Sequence, residues 1–165
     1  MRLMNLPALS VAVVVACIAL GGCSSTARDG ADEVAHSMLQ AAVLPPGAQR
    51  TGVGTIDRAN QEPACAPLVD ESQTWIIENA TVDSVLAFLR DNPGPGLHLV
   101  GSGTVEGQGR PTGADVTQKP IHTRDPDATL VFSMVSIGND VVEVRLDAQA
   151  VPDDATCIRS ETNRP

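Results

Sequence analysis

The chain has very few aromatic residues: of its 165 residues, one is tryptophan, two are phenylalanine and none is tyrosine. They are Trp75, Phe88 and Phe132. Aliphatic side chains must therefore supply most of the apolar surface that a folded domain buries. The sequence predicts a core of valine, leucine, isoleucine and alanine rather than one built around aromatic rings.

Basic residues are also scarce. The chain has 11 basic residues against 20 acidic ones, and its only lysine is Lys119. Arg2 is the only charged residue among the first 22, so the remainder has ten basic and twenty acidic residues, a net charge of −10 (10 − 20). An acidic surface argues against nucleic acid as a partner and against adhesion to anionic lipid by charge.

The apolar run near the start is too short for a transmembrane helix. Leu6 to Leu20 is 15 residues long and contains Pro7 and Ser10, whereas a span needs about 20 apolar residues. The run follows the basic start Met1-Arg2 and ends in small residues, which is the pattern of a secretory signal. Residues 1–22 are therefore predicted to be a signal peptide.

The end of this signal, Leu20-Gly21-Gly22-Cys23, resembles the lipobox of bacterial lipoproteins. In that family the cysteine thiol is diacylated and the chain is cut just before it, and two or more acyl chains hold a protein stably on a bilayer. The resemblance implies an acylated Cys23 and a location at the extracytoplasmic face of the cell membrane. An ordinary signal peptide with a chance cysteine and a true membrane span are the alternatives.

Only two cysteines remain once Cys17 leaves with the signal and Cys23 carries lipid, namely Cys65 and Cys157. Outside the cytoplasm such a pair is most simply a disulfide. A thiol pair for redox chemistry or metal binding is the alternative, but neither cysteine lies in a CxxC motif or near a histidine. We therefore expect a disulfide that ties the start of the domain to its end.

The organisation of the chain follows from composition and periodicity. Residues 23–31 are predicted to be the lipidated N-terminus and a small polar tether, residues 32–160 one domain and residues 161–165 a tail. A helix is expected from Asp32 to Val43, and a second one after the cap residue Thr81. The apolar residues of this second helix repeat at i, i+3, i+4 and i+7: Val82, Val85, Leu86 and Leu89.

Four segments have strand patterns. They are residues 74–77, 97–104, 130–137 and 142–150. The order of elements predicts the α+β class, with a mainly antiparallel sheet of about four strands and two helices packed on one of its faces. Residues 105–128 are rich in glycine, proline, threonine and aspartate and are expected to form a long loop, in which residues 115–118 could hide a short strand.

The last strand alternates most regularly. Its polar face would carry four side chains: Glu143, Arg145, Asp147 and Gln149. This row is a candidate face for binding a polar ligand. Because the charges also pair with each other and with neighbouring strands, a solvated sheet face is the favoured interpretation.

Motifs for catalysis and for cofactors are weak. The glycine-rich stretch 101–109 has Glu106 where a dinucleotide-binding loop needs glycine, and no helix pattern follows it. His122, Asp125 and Asp127 could be imagined around a metal, but one proline-containing loop makes a poor preformed site. His98 is expected to be a half-buried strand residue. No catalytic residue, metal ligand or cofactor is predicted.

Several short motifs are similar to an uncharacterised family of exported actinobacterial proteins. They span much of residues 38–152: Leu44-Pro45-Pro46-Gly47-Ala48, Trp75, Val85 to Arg90 followed by Pro93 to Leu97, Val131-Phe132-Ser133, and Arg145 to Pro152. The resemblance implies an exported protein with one domain, and no mechanism. This chain departs from the family's pattern after the last strand, where Val151 is followed directly by Pro152-Asp153-Asp154.

The sequence therefore predicts a lipoprotein that is anchored to the bilayer through Cys23 and acts without catalysis. Its single domain would bind either another envelope protein or a small envelope ligand. A carrier of a small apolar ligand, enclosed between helices and sheet, is the first alternative. A small cell-wall hydrolase is the second, although no set of carboxylates, histidine and serine with suitable spacing supports it.

Overall fold

The computed structural model describes residues 23–56, 65–66, 68–107, 110–121 and 128–157. This part of the chain holds helices α1 (Cys23–Ala41) and α2 (Val82–Asp91) and eight strands. The strands are β1 (Gln49–Thr51), β2 (Cys65–Ala66), β3 (Val69–Glu78), β4 (Leu97–Gly107), β5 (Arg110–Pro120), β6 (Ala128–Gly138), β7 (Val141–Ala150) and β8 (Thr156–Cys157). The predicted α+β class is confirmed. The predicted signal peptide and C-terminal tail lie outside the described residues.

Six of the strands form one sheet in the order β1-β3-β7-β6-β5-β4, so the sheet is larger than the predicted four strands. Every neighbouring pair is antiparallel. Strands β4 to β7 follow one another as a meander, which brings β7 back beside β3. Helix α1 packs on β3 and β7, and helix α2 packs on β5. Strands β2 and β8 form a separate two-stranded ribbon.

Helix α1 begins at Cys23, well before the predicted start at Asp32. Ala31 and Ala35 are 1% and 0% exposed, so Ala31 belongs to the core. Residues 23–31, predicted as a lipidated N-terminus and polar tether, are thus helical, and their role as a tether stays a prediction. Serine, threonine and glycine have weak helix propensity, so the sequence of this stretch does not indicate the helix.

Helix α2 is confirmed in detail. The Thr81 hydroxyl accepts a hydrogen bond from the Ser84 N–H, and the Ser84 hydroxyl accepts one from the Thr81 N–H, which completes a capping box. Asp83 lies in the first turn and Arg90 in the last, as the helix dipole favours. The buried residues are the four predicted ones: Val82, Val85, Leu86 and Leu89.

The core lies between the helices and one face of the sheet. At its centre Phe132 is paired with Val116 on one neighbouring strand and with Leu146 on the other, and none of the three is more than 1% exposed. Trp75 and Phe88 pack on the edge of this cluster and are only partly buried. The core is thus aliphatic around a single central ring.

Most of the predicted loop 105–128 is a strand instead. β5 covers Arg110–Pro120, including the segment 115–118 that could hide a strand. Its inward side chains include the amide of Gln118, which is fully buried. That amide accepts a hydrogen bond from Gly94 N–H at 3.1 Å and donates one to the Leu89 carbonyl at 3.4 Å. A glutamine at an inward position weakens the alternation by which a strand is recognised.

Gly94 is the point of closest approach between the end of α1 and the turn after α2. A Cβ atom there would collide with the carbonyl oxygen of Ala41 and come within 3.0 Å of Leu97 Cδ1. We expect Gly94→Ala to lower the free energy of unfolding by about 1–3 kcal/mol, because backbone has to shift. Urea denaturation measures the effect.

Gly30→Ala provides the matched control, since a Cβ at this helical position meets no atom within 4 Å. This substitution is expected to stabilise the protein by about 0.5–1 kcal/mol through helix propensity. An unchanged stability of the Gly94→Ala protein would show that α1 and the turn do not pack as described.

Candidate functional site

The two predicted disulfide cysteines are register partners on β2 and β8, and they form the Cys65–Cys157 disulfide. Their separation is 92 residues, and the loop they close contains every element from β2 to β8 but not α1 and β1. In the chain-entropy account a loop of that size contributes on the order of 4 kcal/mol. The predicted disulfide is therefore confirmed, although it does not reach the first elements of the domain.

Cys23 is the first residue of helix α1, and its predicted acylation stays a prediction. Neither of the described helices is long and apolar enough to cross a membrane. Only seven residues lie between Cys23 and the buried Ala31.

The polar row on β7 is not the solvated face that the alternation predicts. Glu143 is 1% exposed and Asp147 is 8% exposed. The Glu143 carboxylate accepts three hydrogen bonds from the segment before the first gap: Thr55 N–H at 2.6 Å, Thr55 Oγ1 at 2.7 Å and Ile56 N–H at 2.8 Å. A distant segment of the same chain covers this end of the row.

Arg145 also binds the segment that contains Thr55 and Ile56. Its Nε and Nη2 donate to the Asp147 carboxylate at 2.9–3.0 Å, and its Nη1 donates to the Ile56 carbonyl at 3.3 Å. Gly54 fits only because it lacks a side chain, since a Cβ would lie 2.8 Å from Glu143 Oε1. Gln149, the last residue of the predicted face, is half-buried. We name this contact of Glu143, Arg145 and Asp147 with residues 54–56 the clasp.

The clasp also sets the ionisation of Glu143. Burial raises the pKa of this carboxyl, but the hydrogen bonds from the Thr55 hydroxyl and from the Ile56 and Thr55 amides lower it by more, and the pKa lies below its ordinary value. Glu143 is therefore a buried carboxylate whose negative charge is stabilised by three hydrogen-bond donors.

The other acid–base candidates are dispersed. His98, expected to be half-buried, is exposed on the edge strand β4. His36 Nδ1 lies 3.3 Å from Glu71 Oε2 at the surface. His122, Asp125 and Asp127 lie outside the described residues. Within the described ranges, no group of three histidine, cysteine or acidic side chains is placed to hold a metal ion.

A groove of about 450 Å³, missed by sequence reasoning, lies where the end of α1 meets β1 and β3. Six apolar residues belong to its lining, although polar atoms make up the larger part of the exposed surface: Leu39, Ala42, Leu44, Pro45, Ala48 and Leu146. Four lining side chains carry polar groups: Gln40, Arg50, Gln73 and Trp75. The Gln40 amide already lies 3.3 Å from His36 Nε2, which leaves the other three to consider. Arg50 and Trp75 are direct register partners on β1 and β3.

These polar groups have unused hydrogen-bonding capacity. The indole Nε1 of Trp75 is buried and has no hydrogen-bond partner among the described residues. Within the same ranges, neither the Arg50 guanidinium nor the Gln73 amide makes a hydrogen bond or an ion pair. The one signal in the sequence was Trp75 itself, the single tryptophan of the chain. We name this site the Trp75 groove.

The free edge of β4 is a second surface with unused capacity. Among the described residues, β4 is the last strand of the sheet and has a strand neighbour, β5, on one side only. Leu99, Val100 and Val105 are 39%, 53% and 62% exposed. The register with β5 skips Val100, which forms a bulge, and residues 101–105 then continue in unbroken register. We name residues 101–105 the β4 edge.

Comparison with models of protein families, with curated proteins and with solved structures finds nothing that matches this chain. The chain is therefore described by its own architecture: an α+β domain with a clasped polar row, an open groove and a free sheet edge.

The clasp predicts a pH-dependent stability. Glu143→Gln removes the charge that three donors match, and we expect it to lower the free energy of unfolding at pH 7 by about 1–3 kcal/mol. A carboxyl with a lowered folded-state pKa stabilises the protein above its unfolded-state pKa and loses this effect as the pH falls through the folded-state value. The difference between the two proteins should therefore shrink at acidic pH.

Urea denaturation at pH 7 and at stepwise lower pH measures this difference. Glu78→Gln serves as the control, because Glu78 is an exposed carboxylate on the neighbouring strand β3. A difference between wild type and Glu143→Gln that does not change with pH would show that the charge of Glu143 is not what the clasp stabilises.

Proposed function

We propose that this chain is an exported lipoprotein, anchored to the cell membrane through acylated Cys23, whose domain binds another protein of the cell envelope. The lipobox-like ending Leu20-Gly21-Gly22-Cys23 supports the anchor. The Cys65–Cys157 disulfide is consistent with an oxidising compartment. The similarity to an uncharacterised exported actinobacterial family also remains a proposal.

The helical start of the domain gives the anchor a short reach. The eight residue-to-residue rises of helix from Cys23 to Ala31 extend about 12 Å at about 1.5 Å each. A lipid on Cys23 would therefore hold the folded domain close to the bilayer rather than at the end of a flexible tether. A partner that is itself embedded in or bound to the membrane would lie within this reach.

The β4 edge carries the proposal of protein binding. A sheet edge presents a row of backbone donors and acceptors, and proteins usually protect such edges with lysine, proline or inward charges. Residues 97–107 include no lysine, arginine or proline, and Glu106 is their only acidic residue. An extended segment of a partner can add to such an edge through backbone hydrogen bonds.

The exposed side chain of Val105 adds an apolar contact to this edge. It lies at the end of the unbroken register opposite Gly113, on the sheet face away from the helices. Because Gly113 has no side chain, Val105 has no side-chain neighbour at the paired position of β5. A partner strand would gain an apolar contact there in addition to backbone pairing.

The anchor is tested by Cys23→Ser. We expect the wild-type protein to fractionate with membranes and the variant to fractionate with soluble material, since only the acyl chains hold the protein there. Incorporation of labelled palmitate should be lost in the same variant. Cys17→Ser, which leaves the lipobox-like cysteine intact, is the control, and a Cys23→Ser protein that stays on membranes would contradict lipid anchoring.

The β4 edge is tested by Val105→Lys, which adds a charge to the free edge. Wild type should capture one protein in stoichiometric amount from mild-detergent extracts of its host's membranes, and the variant should capture at least about tenfold less. Val53→Lys is the control, because Val53 is 82% exposed at a site far along the chain from β4. Equal capture by Val105→Lys would place the partner on another surface.

A further inference from the structure

The Trp75 groove has hydrogen-bond donors that the proposed protein partner, which binds at the β4 edge, does not contact. Ligand sites are mostly apolar, with a few converging polar groups that orient the ligand. The groove is more polar than most such sites, but it places apolar residues beside three side chains with unused donors: Arg50, Gln73 and Trp75. Its volume of about 450 Å³ is within the range of small-molecule sites.

All three polar groups are able to donate. A guanidinium has only donors, an indole has one N–H donor, and a carboxamide offers two N–H donors beside its oxygen. A buried donor without a partner is costly, and a ligand oxygen that accepts from Trp75 Nε1 would remove that cost. The groove therefore fits a ligand group that is rich in acceptor oxygens.

The charges around the groove favour an anionic ligand. No aspartate or glutamate lines the groove, although the chain has 20 acidic residues. Arg50 supplies a full positive charge without an ion pair in the described ranges. The C-terminal end of α1 lies beside the groove and contributes only about half a negative charge, which falls off within one turn. The guanidinium is therefore the larger electrostatic effect.

We infer that the Trp75 groove binds a single-chain carboxylate amphiphile, a fatty acid or a molecule of the same plan. Its carboxylate accepts hydrogen bonds from Arg50, which can bind both oxygens at once, and from the Trp75 indole. Its apolar chain lies along the half-buried residues Leu44, Pro45 and Ala48.

Access to the indole requires a small movement of the rim. Nε1 is buried in this structure, and the coil that follows α1 forms part of the groove's lining. Within residues 42–48 that coil has the backbone hydrogen bond from Ala48 N–H to the Pro45 carbonyl at 3.2 Å. A segment with so few internal bonds can yield to a ligand at low cost.

The test uses tryptophan fluorescence, because Trp75 is the only tryptophan in the chain and its emission reports on the groove alone. The complete chain carrying Cys23→Ser, free of lipid, is titrated with decanoate below its critical micelle concentration. We expect a saturable change in emission. Decanol and decyltrimethylammonium have the same chain length without the negative charge, and both should bind at least about tenfold more weakly.

Two variants separate a specific site from general hydrophobic adsorption. Arg50→Gln should weaken decanoate binding about tenfold and leave decanol binding unchanged. Arg90→Gln is the control, since Arg90 donates to Ser102 at the other end of the sheet. Trp75→Phe keeps a ring but loses the donor, and equilibrium dialysis with radiolabelled decanoate should show weaker binding.

Three results would overturn the inference. They are a fluorescence change that does not saturate, equal affinity for decanoate and decyltrimethylammonium, and unchanged decanoate affinity in Arg50→Gln. Circular dichroism of each variant confirms that it is folded. Binding of decanoate does not depend on the β4 edge, so this inference and the proposed protein partner succeed or fail separately.

Discussion

The burial of strand β7 on both of its faces is the constraint on which the rest of the structure depends. On the helix side Val144 and Leu146 are at most 1% exposed, and on the other side Glu143 is buried as deeply. A carboxylate can remain charged there because residues 55–56 surround it with donors. The clasp also fixes the chain just after β1, which places Arg50 beside Trp75. A buried charge on one face of the sheet thus helps to build the groove on the other.

Local pattern was sufficient where an element is recognised by its own residues. Helix α2 has a cap, a dipole-matched first turn and four apolar residues at helical spacing, so its prediction needed no knowledge of neighbours. The alternation of β7 was also read correctly. The alternation does not show that the polar face of β7 is buried, because the segment that buries it lies almost ninety residues earlier in the chain. The sequence indicates two faces of a strand but not which of them a distant segment buries.

The elements that were missed are those whose signal comes from tertiary contacts. β5 carries Gln118 at an inward position, where its amide satisfies the end of α2, and this polar residue breaks the apolar alternation. The first turns of α1 are rich in poor helix formers, so local propensity does not indicate them. The Trp75 groove depends on the pairing of β1 with β3, and a strand of three residues gives no periodicity to recognise.

The two surfaces with unused binding capacity lie at opposite ends of the sheet. Four strand intervals separate β3 from β4, which is about 19 Å at about 4.8 Å per interval. A protein at the β4 edge and a small ligand in the Trp75 groove would therefore not compete for space. Helix α1 sets a second separation, because its 19 residues extend about 28 Å and the groove lies at the end away from Cys23. In the proposed anchored form, the lipid on Cys23 and a ligand in the groove would lie at opposite ends of this helix. The anchor and the ligand would therefore not compete for space either.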